Sequence, residues 1–213
     1  MKLLGKFHGS SLCIPYNVES SKPRVLALNS LHLQHPPQSY QTNPITMSYN
    51  SNLDESRRIY NPSEDPYSRQ VPPHQLVVYN TNKHICQLQM QLHPTTAPFP
   101  DTRSLVVFID DACRGNSTPS ARASYGVYFG PRSPYNVYGL LPSTLPQTST
   151  HAEIEALSHA LAIVDDITRH DHMLTSIKFA TDSVFLVNAM GVWMEQWIEN
   201  GGIGSNDRGG GAL

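Results

Sequence analysis

The sequence predicts an α/β domain built on a mixed sheet, in the order β-β-β-α-β-α, behind a long extension of different composition. Three observations carry this expectation. After Ser104, short apolar runs are separated by Gly, Pro and Asn turns. "HAEIEALSHALAIVDD" spaces its apolar residues at the period of a helix. "TSIKFATD" is reached only through that helix, and a strand reached through a helix crossover lies parallel to its partner.

The elements follow in order. "SLVVFID" is an apolar run that reads as a buried strand. "ASYGVYFG" (Ala123–Gly130) alternates and reads as a second strand. "SPYN" is a turn, and "VYGLL" (Val137–Leu141) is a short third strand, so the first three form an antiparallel meander. Thr148, Ser149 and Thr150 are candidate N-caps for the first helix. "TSIKFATD" (Thr175–Asp182) is the fourth strand. A second helix spans Ser183–Asn200 and stops at Gly201-Gly202.

Composition divides the 213 residues in two. Of 17 prolines, 12 precede Asp101. Residues 1–100 are rich in Pro, Ser, Asn and Gln, and are expected to be a mostly disordered extension, above all in residues 1–75. Within them "HQLVVYNTN" and "HICQLQMQLHP" are candidate short strands that pack on the domain or pair as a hairpin. The domain is expected over residues 101–202, with a Gly-rich tail over 203–213.

Charge divides the same way. Residues 1–100 carry 8 Lys+Arg against 5 Asp+Glu, and residues 101–213 carry 7 against 12. An acidic second half matches a phosphate backbone poorly by bulk charge, but suits a site that concentrates divalent cations. Cys13, Cys86 and Cys113 are too few and too scattered for a disulfide framework or a zinc site. No segment has the ~20 apolar residues of a membrane span. The expectation is a soluble, intracellular protein.

The first strand ends on the pair Asp110-Asp111, which is costly at the end of a core strand unless something pairs with it. The topology supplies candidates. Asp110 and Asp182 end the first and fourth strands, which are expected to be parallel neighbours, and ligands bind at the carboxyl ends of such strands. Glu153 lies one turn before Leu157, on the core face formed with Ala160, Leu161 and Val164. Three acids therefore converge, and like charges at close range destabilise one another. Hard oxygen ligands of this kind favour Mg²⁺ or Mn²⁺. Taken singly, each has a plain structural reading. An Asp after a strand caps a helix, a Glu in a first turn faces the helix dipole, Cys113 packs, and Asn116 turns the chain. The conjunction carries the functional reading.

These residues resemble the type 1 ribonuclease H family. "IDDACRGN" resembles its first-strand motif, "THAEIEALSHAL" the helix with its metal-binding Glu, "FATDSVFLV" its Thr-Asp-Ser motif, and "VWMEQW" its Trp-x-x-x-Trp. The likeness covers about Leu105 to Gly202. It implies an RNase H-like fold and an endonuclease that cuts the RNA strand of an RNA–DNA hybrid, with no membrane and no obligate protein partner. Asp110, Glu153 and Asp182 would hold two Mg²⁺ ions, with Mn²⁺ able to substitute. Cys113, Arg114, Gly115 and Asn116 would line the minor groove. Ser149 and Thr150 match positions often filled by Asn, Ser183 belongs to the Thr-Asp-Ser motif, and Trp193 matches a tryptophan beside the DNA strand.

Two departures qualify the likeness. Asp111 stands where the family usually has Gly, and alternation is expected to turn it away from the metals. The family also continues through a further strand and a last helix carrying a fourth metal-site Asp. Here "NGGIGSNDRGGGAL" follows, and Asp207 is not taken as that ligand. The expectation is a C-terminally truncated domain with an open sheet edge and impaired activity. The alternatives are a non-catalytic hybrid or RNA binder and a fragment without function.

Overall fold

A computed structural model describes residues 24–29 and 59–200. Nine strands among them share one sheet. They are β1 (Arg24–Asn29), β2 (Ile59–Tyr60), β3 (Val77–Asn80), β4 (Ile85–Met90), β5 (Phe99–Pro100), β6 (Ser104–Arg114), β7 (Arg122–Tyr128), β8 (Val137–Leu140) and β9 (Ser176–Thr181). The helices are α1 (Ser149–His170), α2 (Val184–Asn188) and α3 (Met194–Glu199).

β6 is the organising strand, because it is apolar on both faces. Leu105, Val107 and Ile109 turn to α1 and are almost wholly buried with Val164, Phe179 and Leu186. Val106 and Phe108 turn the other way, toward Leu76, Val77 and Tyr79. Burying each such side chain contributes roughly 1.5–3 kcal/mol. The expected meander is present: β6 pairs antiparallel with β7, and β7 with β8. β9 runs parallel to β6 from Ser104↔Ser176 to Phe108↔Ala180, as the helix crossover requires.

α1 reaches the sheet closely because its buried face carries Ala152, Ala156 and Ala160 beside Leu157, Val164 and Ile167. Of the three candidate caps, Thr148 takes the position. Its backbone is extended, and its hydroxyl accepts from the His151 N–H at 3.2 Å. Arg169 and His170 fill the last turn, where positive charge suits the helix dipole.

The expected division at residue 101 falls inside the sheet. β3 and β4 form the hairpin that "HQLVVYNTN" and "HICQLQMQLHP" suggested, with Val77↔Leu88 to Asn80↔Ile85 in register. β4 joins β6 at Cys86↔Val106. Side chains fasten the hairpin to the domain: Lys83 Nζ meets Asp171 at 2.7 Å, and Ser133 Oγ donates to the His84 carbonyl at 2.6 Å. Residues 1–23 and 30–58 of the expected disordered extension, and the tail at 203–213, lie outside the described residues.

The sheet edge expected to be open is paired. β1 runs antiparallel along β9 from Arg24↔Thr181 to Asn29↔Ser176, and β2 pairs in turn with β1. A stretch of the N-terminal extension thus supplies the backbone partner that β9 requires.

The second helix is not uniform. A π-helical stretch over Ala189–Trp193 joins α2 to α3 and contains Gly191. Such wide turns interrupt the regular ladder within an otherwise continuous helical path. The expected stop at Gly201-Gly202 lies outside the described residues.

Candidate active site

The carboxyl ends of β6 and β9 meet where the parallel pairing runs out. Asp110 lies two residues past the Phe108↔Ala180 pair, and Asp182 lies two residues past Ala180. Both are exposed. Protein around Asp110 and the like charge of Asp182 push its carboxyl up to about 6, although it keeps contact with solvent.

Glu153 approaches from α1 and is half-buried. Burial raises its carboxyl above the ordinary range, a hydrogen bond from Ser183 opposes this, and the charges of Asp111, Asp182 and Asp110 add to the rise. Ser183 is buried and also caps α2, accepting from the Leu186 N–H at 3.1 Å. The Thr181 hydroxyl accepts from the Ser183 N–H at 3.1 Å, which fixes the turn between β9 and α2.

Asp111 is the residue whose surroundings differ most from expectation. Alternation along β6 turns it toward α1 with Ile109 and Cys113 and away from Asp110, but not away from the other expected ligands. That is the side from which Glu153 comes. Burial raises the Asp111 carboxyl, a hydrogen bond with Ser149 opposes the rise, and Asp182 adds to it. Four acids therefore share the end of the sheet: Asp110 on one face, Asp111 and Glu153 toward the other, and Asp182 past the end of β9. None of the ion pairs among the described residues involves them.

This donor set suits a hard divalent cation, since it consists of carboxylate oxygens whose mutual repulsion a cation would relieve. As the side chains stand, no three His, Cys, Asp or Glu among the described residues close into a ready ligand group. The acids are gathered but not drawn in around one point.

The other expected site residues separate into two groups. Arg114, Gly115 and Asn116 are exposed at the end of β6, where Gly115 has φ +68° and the Thr118 N–H and hydroxyl both donate to its carbonyl. Cys113 instead turns inward against Ala123, Leu141 and Ala152, and its thiol donates to the Gln147 carbonyl at 3.4 Å. Its packing reading is the one its surroundings favour. Ser149 and Thr150 open α1, half-buried. Trp193 is half-buried between Phe185 and Trp197, with ring centroids 6.0 and 5.9 Å away.

Sequence reasoning missed one side-chain group. Tyr125 of β7 stacks on His159 of α1 at 4.7 Å, and His159 Nε2 lies 3.3 Å from Glu155. The only signal was the alternation that turns Tyr125 inward. Its partner on another element left none.

Comparison with known proteins follows the same boundaries. The family model described as RNase H matches residues 102–208. Ribonuclease H1 of Mus musculus is 35% identical over 98 residues, covering 46% of this chain and 32% of that protein. Ribonuclease H1 of Homo sapiens is 33% identical over 119 residues, covering 52% and 39%. Ribonuclease H of Saccharomyces cerevisiae is 33% identical over 88 residues, covering 41% and 25%. The chain spans about a third of the length of the curated relatives it matches.

Proposed function

Because the chain belongs to the RNase H family, we propose that it hydrolyses the RNA strand of RNA–DNA hybrids at the ends of β6 and β9. The observation that carries this is the placement of Asp110 and Asp182 past the last parallel pair, with Glu153 electrostatically coupled to both.

Asp110, Glu153 and Asp182 are the residues that would hold Mg²⁺ or Mn²⁺, two ions in the family pattern. Such ions activate a water for in-line attack on a phosphodiester and stabilise the leaving oxygen. The chain's own residues prepare the site. Ser183 lowers the proton affinity of Glu153 while fixing the start of α2. Burial first, and the neighbouring like charges after it, raise the Asp110 and Glu153 carboxyls above their ordinary range, so a cation bound there would compete with protons. Arg114, Gly115 and Asn116 present an exposed turn to the minor groove, where main chain and Asn reach base edges and 2′-hydroxyls. Trp193 is the proposed neighbour of the DNA strand.

The test is an end-labelled hybrid incubated with the full chain in Mg²⁺, and separately Mn²⁺, beside Asp182→Asn. Internal cuts confined to the RNA strand and absent from the variant are expected. Equal cutting by wild type and variant would remove these acids from the mechanism. Metal-dependent retention of hybrid without scission would favour the reading as a non-catalytic binder.

A further inference from the structure

The face of the sheet opposite α1 has two halves. Over the first half of β6, Val106 and Phe108 lie under Leu76, Val77 and Tyr79. Past Phe108 the character changes. Alternation puts Asp110, Ala112 and Arg114 on this outer face, and the register sets Gly126, Ser124 and Arg122 of β7 directly opposite them. Among the described residues a Cβ on Gly126 would meet nothing within 4 Å, so they leave the floor beside Asp110 open. β8 extends the same rows with Tyr138 opposite Gly126 and Leu140 opposite Ser124. Those two side chains are 78% and 74% exposed.

Arg114 and Arg122 stand face to face at the far end of this shelf. Like charges directly opposite one another in an antiparallel pair destabilise it. Both are exposed, and neither forms an ion pair among the described residues. Arg122 Nη1 donates to the Ala121 carbonyl at 2.8 Å, and among the described residues no other acceptor engages its guanidinium. Nothing in the packing of β6 on β7 calls for two cations at this register. An anion received between them would offset the repulsion and engage both guanidinium groups. Their distance from Asp110 is four residues of strand, roughly 13 Å at 3.3 Å per residue.

We propose that Arg114 and Arg122 together grip the phosphate backbone of the hybrid, on the open face that also carries Asp110. The grip rests on the hybrid-cleavage function proposed above and extends it. The candidate active site ends one side of the shelf, the arginine pair ends the other, and Tyr138 with Leu140 forms an apolar shoulder against which sugars pack. The pair supplies local positive charge that the acidic second half of the chain lacks in bulk. It fixes where the duplex lies relative to Asp110 without reading its sequence.

The test is binding of a fluorescent hybrid by the full chain in Ca²⁺ without Mg²⁺, followed by anisotropy across a salt series. Arg114→Gln, Arg122→Gln and the double variant are compared with wild type, with Arg132→Gln in the β7–β8 connection as control. The slope of log affinity against log salt is expected to flatten by roughly 1 for each arginine removed. Arg114→Lys is expected to keep the wild-type slope, and Arg132→Gln to leave it unchanged. Thermal unfolding without nucleic acid is expected to show each single Gln variant at least as stable as wild type, since a repulsion is removed. Unchanged slopes in folded variants, or no wild-type binding at low salt, would overturn the grip. The two proposals fail separately. Arginine-dependent binding without cutting in Mg²⁺ leaves the grip standing and removes hydrolysis. Cutting with slopes indifferent to the arginines does the reverse.

Discussion

Ser183 at the start of α2 faces Glu153 in the first turn of α1: its side chain opposes the rise that burial gives the Glu153 carboxyl, and its hydroxyl accepts from the Leu186 N–H at 3.1 Å. The same hydroxyl therefore caps a helix and lowers the proton affinity of an acid of the candidate site. Ser183→Ala is expected to lose about 1 kcal/mol from the cap alone. Ser183→Thr keeps the hydroxyl and is expected to recover most of it. Thermal unfolding of the two variants checks this.

Asp110 gives the candidate site a pH dependence of definite sign. Its carboxyl sits at about 6 in the folded chain against an ordinary 3.8. Between those values the folded state holds the extra proton, so Asp110 stabilises the fold at low pH and loses that contribution as pH rises through about 6. In metal-free buffer, the unfolding temperature of wild type relative to Asp110→Asn is expected to fall from pH 4 to pH 7. Mg²⁺ at pH 7 is expected to raise wild type more than the variant. A difference that stays flat with pH would contradict the assignment.

Asp111 exerts two opposed effects, as a charge beside Glu153 and as a hydrogen-bond partner of Ser149. Asp111→Asn removes the charge and keeps the hydrogen-bonding capacity, so it is expected to stabilise the metal-free chain. Asp111→Ala loses both and is expected to be less stable than Asp111→Asn. Denaturant melts of the pair separate the effects, and equal midpoints would show that the Ser149 bond contributes nothing.

The edge of β9 depends on β1. Ala27 pairs with Lys178, and a proline there fixes φ, lacks an N–H and disfavours an internal strand position. Ala27→Pro is expected to speed amide exchange across β9 and to produce concentration-dependent light scattering, because an uncovered edge pairs with other chains. Unchanged exchange in β9 would show that β1 does not hold the edge in solution.

Gly130 marks where the hairpin seats on the domain. Its φ is +142°, and a Cβ there would run into the Tyr79 ring. Gly130→Ala is expected to destabilise the fold by about 1–3 kcal/mol through overpacking and backbone strain. Pairing it with Tyr79→Ala removes the clash and is expected to reduce the effect of the glycine substitution. A double-mutant cycle of unfolding free energies measures that coupling.

Much of the candidate site is legible in the order of residues along the chain. Asp110 and Asp182 each close an apolar run, and Glu153 sits one turn ahead of a core leucine; period and order are enough to bring them together. Asp111 shows where such reading stops. Alternation turns it from Asp110 and so suggested a direction away from the metals, but only the position of α1 reveals that this direction leads to Glu153. Cys113 is similarly ambiguous in sequence, since its inward packing depends on Ala152 and Leu141 from two other parts of the chain.

The local elements from Ser104 onward, and the hand of their crossover, are written in the order of residues. Apolar period, turn residues and the crossover rule are local or nearly local forces, and they leave one arrangement of β6 to β9. What completes the sheet emerges only when distant segments meet in the folded chain. "RVLALN" carries no local signal that selects β9 as its partner over any other free edge. Pairing between segments so far apart in the chain is settled by unpaired backbone groups seeking partners, which no window of sequence displays. The same holds for Arg114 and Arg122. Each is an ordinary exposed arginine in the chain, and they become a pair only because the register of β6 on β7 sets them opposite one another.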